Sequence, residues 1–236
     1  MDKILRQEQL KILKAFAQKD CGFRLAGGTA LELYYLKHRF SADLDFFTND
    51  YEDKKINDLI NHFRKFTKNK IRFENEFITD RHAKVKFYLI KIENYNRPLK
   101  LDFVEEVFFK NPQIRIFDGV KVYSEKNIYA QKLMAISGSL VENDEVGKEI
   151  IKGRQVARDV FDMYLLSKKI IPLHKFLHFQ PPVVKRGIVH WYRSYPRQDY
   201  KLALLDMDIY DKKFDSRVMI TYLDKEIEKF IREEVL

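Results

Sequence analysis

Gly27-Gly28-Thr29 and Asp43-Leu44-Asp45 are the residues of this chain whose types and spacing best suit chemistry. If the segment SADLDFF is a strand, residues two apart point the same way. Both carboxylates then leave one face while Leu44 and Phe46 enter the core. Paired carboxylates on one edge suit Mg²⁺, a hard cation that takes oxygen ligands and shares them with substrate phosphates. The glycine pair lets a backbone approach closely, and the helix it opens, TALELYYLKH, presents free N–H groups to an anion. A phosphate cradle beside a metal pair is the equipment of phosphoryl transfer. The bland alternative is a helix-capping turn and a surface strand with two solvated acids.

The order glycine pair, hydroxyl residue, helix, Asp-x-Asp strand resembles the signature of the DNA-polymerase-beta-like nucleotidyltransferases. The fuller text, GGTALEL followed by HRFSADLDFF, is similar to the AbiEii/AbiGii family of bacterial nucleotidyltransferase toxins. The run Arg39-x-Ser41-x-Asp43-x-Asp45 carries most of that specificity.

Several elements must position these residues. Residues 3–19 are predicted to form a helix with an apolar stripe of Leu5, Leu10, Ile12, Leu13 and Phe16. A second helix runs from the glycine pair to about His38, SADLDFFT is the first strand, and residues 52–67 form a further helix. The segments IRFENEFIT, AKVKFYLIKI, PLKLDFVEE and GVKVYS alternate as strands. From Glu125 onward the pattern turns helical and stays so. This predicts an α+β chain: residues 1–124 a mixed sheet flanked by helices, residues 125–236 a helical domain.

Within PLKLDFVEE, Asp102 leaves the face opposite Leu99, Leu101 and Phe103. The resemblance makes it the third carboxylate of a metal site, able to help deprotonate an attacking hydroxyl; the alternative is a polar-face residue of an edge strand. Lys132 lies among Ile128, Tyr129, Ala135 and Ile136 at helical spacing. It either snorkels to the rim or reaches into a site that needs a cation, and the resemblance implies a triphosphate ligand. In Arg158-Asp159-x-x-Asp162 the family pattern favours Asp159 as a substrate contact or general base. Asp162, able to pair with Arg158, reads as mainly structural. Arg39 either binds phosphate or holds a site carboxylate, with a surface ion pair as the bland alternative. Ser41 shares the face of Asp43 and Asp45, within reach of a phosphate or a metal-bound water. The basic, aromatic stretch KRGIVHWYRSYPRQDYK suits either a nucleic-acid surface or helix core.

Apolar residues make up 45% of the 236 positions, enough for a real core, and the net charge of +9 favours polyanionic partners. The single cysteine, Cys21, excludes a disulfide framework and fits a reducing cytoplasm, where a soluble protein is expected. The six histidines show no zinc-ligand spacing, and no apolar run reaches the length of a membrane span.

Together these features predict a nucleotidyltransferase moving an NMP from an NTP to an acceptor hydroxyl. The metal ligands are Asp43, Asp45 and Asp102, which hold two Mg²⁺ ions about 3.5–4 Å apart, with Mn²⁺ as the other candidate. The catalytic set adds Lys132 and Asp159 across an interdomain cleft, and the nucleotide-binding set is Gly27, Gly28, Thr29, Arg39, Ser41 and Lys132. The resemblance implies a toxin with a cognate antitoxin protein, a role in phage defence, and RNA such as tRNA as acceptor. Two other readings are a non-catalytic nucleotide- or nucleic-acid-binding module on the same fold and a housekeeping or antibiotic-modifying transferase.

Overall fold

A computed structural model describes residues 2–79, 83–138, 141–143, 149–151, 153–154 and 156–235. The chain divides into two units, Met1–Ser124 and Glu125–Leu236. The first carries a mixed sheet with helices and the second is mainly helical, so the α+β expectation holds.

Helix α1 (Lys3–Ala17) starts at Asp2, whose carboxylate accepts from the N–H of Leu5 at 3.0 Å and caps the helix. Leu5, Gln9, Ile12, Leu13 and Phe16 form its buried row, whereas Leu10 is 49% exposed. The expected stripe therefore holds one residue too many, because Leu10 falls off the 3.6-residue period that the others keep. Strand β1 (Arg24–Ala26) runs directly into α2 (Gly27–Ala30), which continues as a π-helical stretch over Leu31–Leu36. There the N–H of Lys37 closes on the carbonyl of Glu32 at 3.0 Å, a five-residue step. Next come β2 (Leu44–Thr48), α3 (Asp53–Thr67), β3 (Lys70–Ile78), β4 (Lys84–Lys91), β5 (Leu99–Glu105), β6 (Ile114–Phe117) and β7 (Val120–Tyr123). SADLDFFT is therefore the second strand, not the first, and regular pairing begins only at Leu44.

The sheet order is β3-β4-β5-β2-β1-β7-β6, so β2 and β5 are both interior strands. The edge-strand alternative for Asp102 is thereby excluded. Phe46 anchors β2: its ring centroid lies 4.8 Å from that of Phe16, 5.5 Å from Phe103 and 6.0 Å from Phe63. Helix α3 contributes Ile56, Leu59, Ile60 and Phe63 to the same core.

The second unit holds α4 (Glu125–Ser137), α5 (Ala157–Lys169), α6 (Leu173–His178), α7 (Pro182–Ser194), α8 (Arg197–Leu205) and α9 (Ser216–Val235). It is not helical throughout. Strands β8 (Val141–Asn143) and β9 (Glu149–Ile151) pair antiparallel between α4 and α5. In KRGIVHWYRSYPRQDYK the aromatics Trp191, Tyr195 and Tyr200 are buried, with Trp191 and Tyr195 stacked at 4.4 Å. These three rings build helix packing, which is the core reading of that stretch.

Gly187 sets how closely α7 approaches α4. A Cβ there would stand 2.5 Å from the Ser137 carbonyl oxygen and 2.6 Å from the Ser137 Cβ. In an open helix Gly→Ala gains roughly 1 kcal/mol of propensity. Here a backbone oxygen cannot rotate aside, and overpacking costs about 1–3 kcal/mol. Gly187→Ala is expected to lower the urea midpoint; an unchanged or raised midpoint would show that the two helices part freely.

Candidate active site

Strand register brings two of the carboxylates side by side. β2 pairs antiparallel with β1 and parallel with β5, which sets Asp45 opposite Ala26 on one side and Asp102 on the other. Their chain neighbours Leu44, Phe46, Leu101 and Phe103 are fully buried on the other face. Alternation therefore sends Asp45 and Asp102 out together. Asp43 lies just ahead of β2, at the same phase of the alternation.

The glycine turn lies against these acids. Gly27 has φ +71°, the left-handed region, and a Cβ there would come within 2.0 Å of Asp45 Oδ2. Only glycine permits both the backbone angle and the approach of the carboxylate. A Cβ on Gly28 would meet Ser41 Oγ at 2.6 Å and Arg39 Nη2 at 2.8 Å. Arg39 is buried, and its Nη1 donates to the Phe40 carbonyl at 3.2 Å. The Thr29 hydroxyl, fully buried, donates to the carbonyl of Asp43 and ties the turn to the acidic strand. The structure thus gathers Gly27, Gly28, Thr29, Arg39, Ser41, Asp43, Asp45 and Asp102 around one end of β2.

Asp102 is the electrostatic focus. Burial and then the charge of Asp45 push its carboxyl up to about 7, with Lys100 pulling the other way and Asp43 adding to the rise. Lys100 Nζ lies 2.9 Å from Asp102 Oδ2. Asp102 Oδ1 is buried without a hydrogen-bond partner among the described residues. Also among them, no three His, Cys, Asp or Glu side chains form a ready-made metal cage. An open acidic pair with an orphaned carboxylate oxygen fits a cation that keeps most of its shell for water and phosphate, as Mg²⁺ does. The residues present therefore suit a divalent ion, although they do not enclose one.

Sequence reasoning missed the residues that hold the loop before β2. Ser41 N–H donates to Glu32 Oε2 at 2.8 Å, and Gln9 Nε2 donates to the carbonyls of Ser41 at 2.9 Å and Ala42 at 2.8 Å. Arg6 in turn donates to Glu32 Oε1. The signals were present: a lone glutamate in the apolar run TALELYYL, and Gln9 within the buried row of α1.

The helical unit gathers its own charged residues. Lys132 Nζ lies 2.6 Å from Asp159 Oδ1 and 2.9 Å from Asp162 Oδ2, and Arg154 Nη2 lies 2.7 Å from Asp159 Oδ2. Both aspartates are fully buried, while Arg158 is exposed. Burial works to raise the Asp159 carboxyl, but the charges of Lys132 and Arg154 outweigh it and hold that group below the usual carboxylate range. The counter-charge that the sequence pattern asks a triphosphate to bring to Lys132 is supplied inside the unit by two carboxylates.

Two solved structures, both from Helicobacter pylori, share the fold. One, described as a candidate nucleotidyltransferase, is 20% identical with a TM-score of 0.63, covering 97% of this chain and 94% of that one. The other, JHP933, is 21% identical with a TM-score of 0.64, covering 99% and 94%. Comparison with curated protein sequences finds no match. Among the described residues, no helix is long and apolar enough to cross a membrane. The family described as nucleotidyl transferase AbiEii toxin, type IV toxin–antitoxin system, matches residues 11–219, a span that contains the glycine turn, all three clustered aspartates and the Lys132 network. The chain belongs to this AbiEii family of nucleotidyltransferase toxins.

Proposed function

We propose that the chain transfers a nucleoside monophosphate from a nucleoside triphosphate to an acceptor hydroxyl at the β2–β5 acidic site, with Asp43, Asp45 and Asp102 holding a divalent cation, Mg²⁺ or Mn²⁺. The observation that carries this reading is the pairing of Asp45 with Asp102 beside the Gly27 turn. The cation, when bound, supplies positive charge to the triphosphate and acidifies the attacking hydroxyl. Gly27 and Gly28 let Asp45, Ser41 and Arg39 close on the start of α2, a helix start of the kind that suits a phosphate. Arg39 and Ser41, beside Gly28, orient that phosphate. Asp102 is the carboxylate that would accept the hydroxyl proton, the cation drawing its raised carboxyl back towards the ionised form that a base needs. The acceptor oxygen bonds to the alpha phosphorus, the bridge to the beta phosphate breaks, and pyrophosphate leaves.

The net charge of +9 favours an RNA acceptor, tRNA among them, and the family favours a toxin held in check by a cognate antitoxin, acting in phage defence. Lys132 and Asp159 stay outside this reading, because Asp159 and Asp162 already balance the Lys132 charge inside the helical unit.

Three outcomes are expected. Incubating the protein with each alpha-labelled NTP, total RNA and Mg²⁺ should label an RNA species, and Asp43→Asn or Asp45→Asn should cut labelling at least a hundredfold with the far-ultraviolet spectrum unchanged. Full labelling by a folded double variant would overturn the mechanism.

The second concerns pH. Asp102 binds its proton more tightly folded than unfolded, since its value rises from 3.8 to about 7. Its stabilising contribution is therefore complete below about pH 3.8 and is lost as pH climbs towards 7. Asp102→Asn should flatten the fall in melting temperature across that window. Mg²⁺ added at pH 8 should raise the melting temperature of the parent but much less that of the variant. Equal Mg²⁺ shifts in both would remove Asp102 from the ion site.

Third, Lys132→Met takes the ammonium from between two fully buried carboxylates and leaves Asp159 with Arg154. Breaking a buried ion pair from one side costs about 3–5 kcal/mol. The variant should melt early, and nucleotide affinity measured well below that temperature should stay near the parent's. A tenfold loss of affinity in the folded variant would bring Lys132 into the nucleotide site.

A further inference from the structure

Residues 41–43 lie outside the sheet ladder, so their backbone polar groups need partners elsewhere. Side chains from two helices supply them. Glu32 Oε2 accepts from the Ser41 N–H at 2.8 Å. Gln9 Nε2 donates to the Ser41 carbonyl at 2.9 Å and the Ala42 carbonyl at 2.8 Å. The Thr29 hydroxyl donates to the carbonyl of Asp43. Three consecutive residues, ending in a proposed metal ligand, are thus held by three buried side chains.

Glu32 is the member of this set that is hardest to bury. It is 3% exposed, and a desolvated carboxylate persists only when paired. Arg6, 8% exposed, donates to its other oxygen and rests its guanidinium 4.9 Å from the centre of the Phe40 ring. Stability alone does not explain such a pair. Well-packed apolar residues of the same volume are often neutral or stabilising in place of a buried ion pair. What an apolar pair cannot do is accept the Ser41 N–H. Glu32 also sits in the first turn of the π-helical stretch, a geometry that recurs at functional sites. Arg6 and Gln9 lie before residue 11, where the family match begins.

We propose that Glu32, braced by Arg6 and working with Gln9, is a positioning residue for nucleotidyl transfer: it fixes the backbone that aims Ser41 and Asp43 at the nucleotide. This rests on the transfer reading above. Glu32 touches neither nucleotide nor ion; it acts through the loop. Misplacing a reacting group by about 1 Å can cost on the order of a hundredfold in rate.

Two double variants test this. Arg6→Met/Glu32→Gln removes both charges but keeps an amide oxygen to accept the Ser41 N–H. Arg6→Met/Glu32→Met removes the acceptor as well. Both variants remove the Arg6 and Glu32 charges together, so neither strands one member of that pair, and the melting temperature and far-ultraviolet spectrum check that each folds. Transfer and hydrogen exchange at the Ser41 amide are then measured. The Gln variant should keep kcat within about threefold of the parent and keep Ser41 protected. The Met variant should lose at least tenfold in kcat, with KM for the nucleotide nearly unchanged and Ser41 exchanging faster, as expected when an interaction serves the transition state rather than ground-state binding. A folded Met variant with parental kcat and parental Ser41 exchange would overturn the inference. If the parent transferred no nucleotide, the transfer reading would fail separately, and unchanged Ser41 exchange would still overturn the pinning while faster exchange would uphold it. Should the Met variant not fold, Gln9→Leu, which spares the ion pair and removes two of the bonds, takes its place: slower transfer with faster Ser41 exchange would uphold the inference, and parental values of both would overturn it.

Discussion

The parallel pairing of β2 with β5 is the constraint on which the acidic site depends. It sets Asp45 against Asp102 and, one residue on, Phe46 against Phe103, whose rings stack at 5.5 Å with a 21° angle between planes. Side chains alternate along a strand, so a slip of one residue would turn phenylalanines outward and carboxylates into the core. The aromatic core thus selects the register, and the register delivers the carboxylates. Phe16 and Phe63, from α1 and α3, pack on the same Phe46 ring and make that choice hard to reverse.

Holding the acids together works against stability. Burial and the neighbouring carboxylates raise Asp102, so the folded chain near neutral pH carries an electrostatic strain that the unfolded chain lacks. The strain is tolerated because the backbone around it is over-determined. Gly27 lets Asp45 lie against the turn, Thr29 ties that turn to Asp43, and Gln9 and Glu32 hold the two residues before it. An arrangement of this kind is pre-organised for a ligand that brings positive charge.

What the sequence disclosed follows from range. Local periodicity shows Leu44 and Phe46 turning inward and Leu99, Leu101 and Phe103 doing the same, so the acid-bearing strands are legible before any pairing is known. Strand β1, three residues long, is too short to show alternation, and β8 and β9 are equally short, which is why the second half reads as helical throughout. The π-helical stretch looks like ordinary helix in the sequence because a single wider turn within a run of helix-compatible residues leaves no compositional mark. Long-range partners are out of reach. Lys132 is recognisably a lysine in apolar company, but nothing local says that its carboxylates come from Asp159 and Asp162 on the next helix. Glu32 escapes notice for the same reason, since Arg6 and Ser41 flank it from opposite directions along the chain.

The two charged clusters differ in a way that bears on what each can do. In the helical unit Lys132, Arg154, Asp159 and Asp162 carry two charges of each sign, and attraction there outweighs burial for Asp159. At the sheet site the carboxyl groups of Asp43, Asp45 and Asp102 crowd together, and although Lys100 pulls the other way, burial and the Asp45 charge still push Asp102 up. A balanced buried network gains little from an added ion, because any newcomer must displace a partner already made. An unbalanced one gains the full attraction, and its orphaned Asp102 oxygen gains a ligand. The same chain therefore uses acidic residues in two ways: paired with cations in the helical unit, and held against one another at the sheet site, the arrangement on which the transfer reading rests.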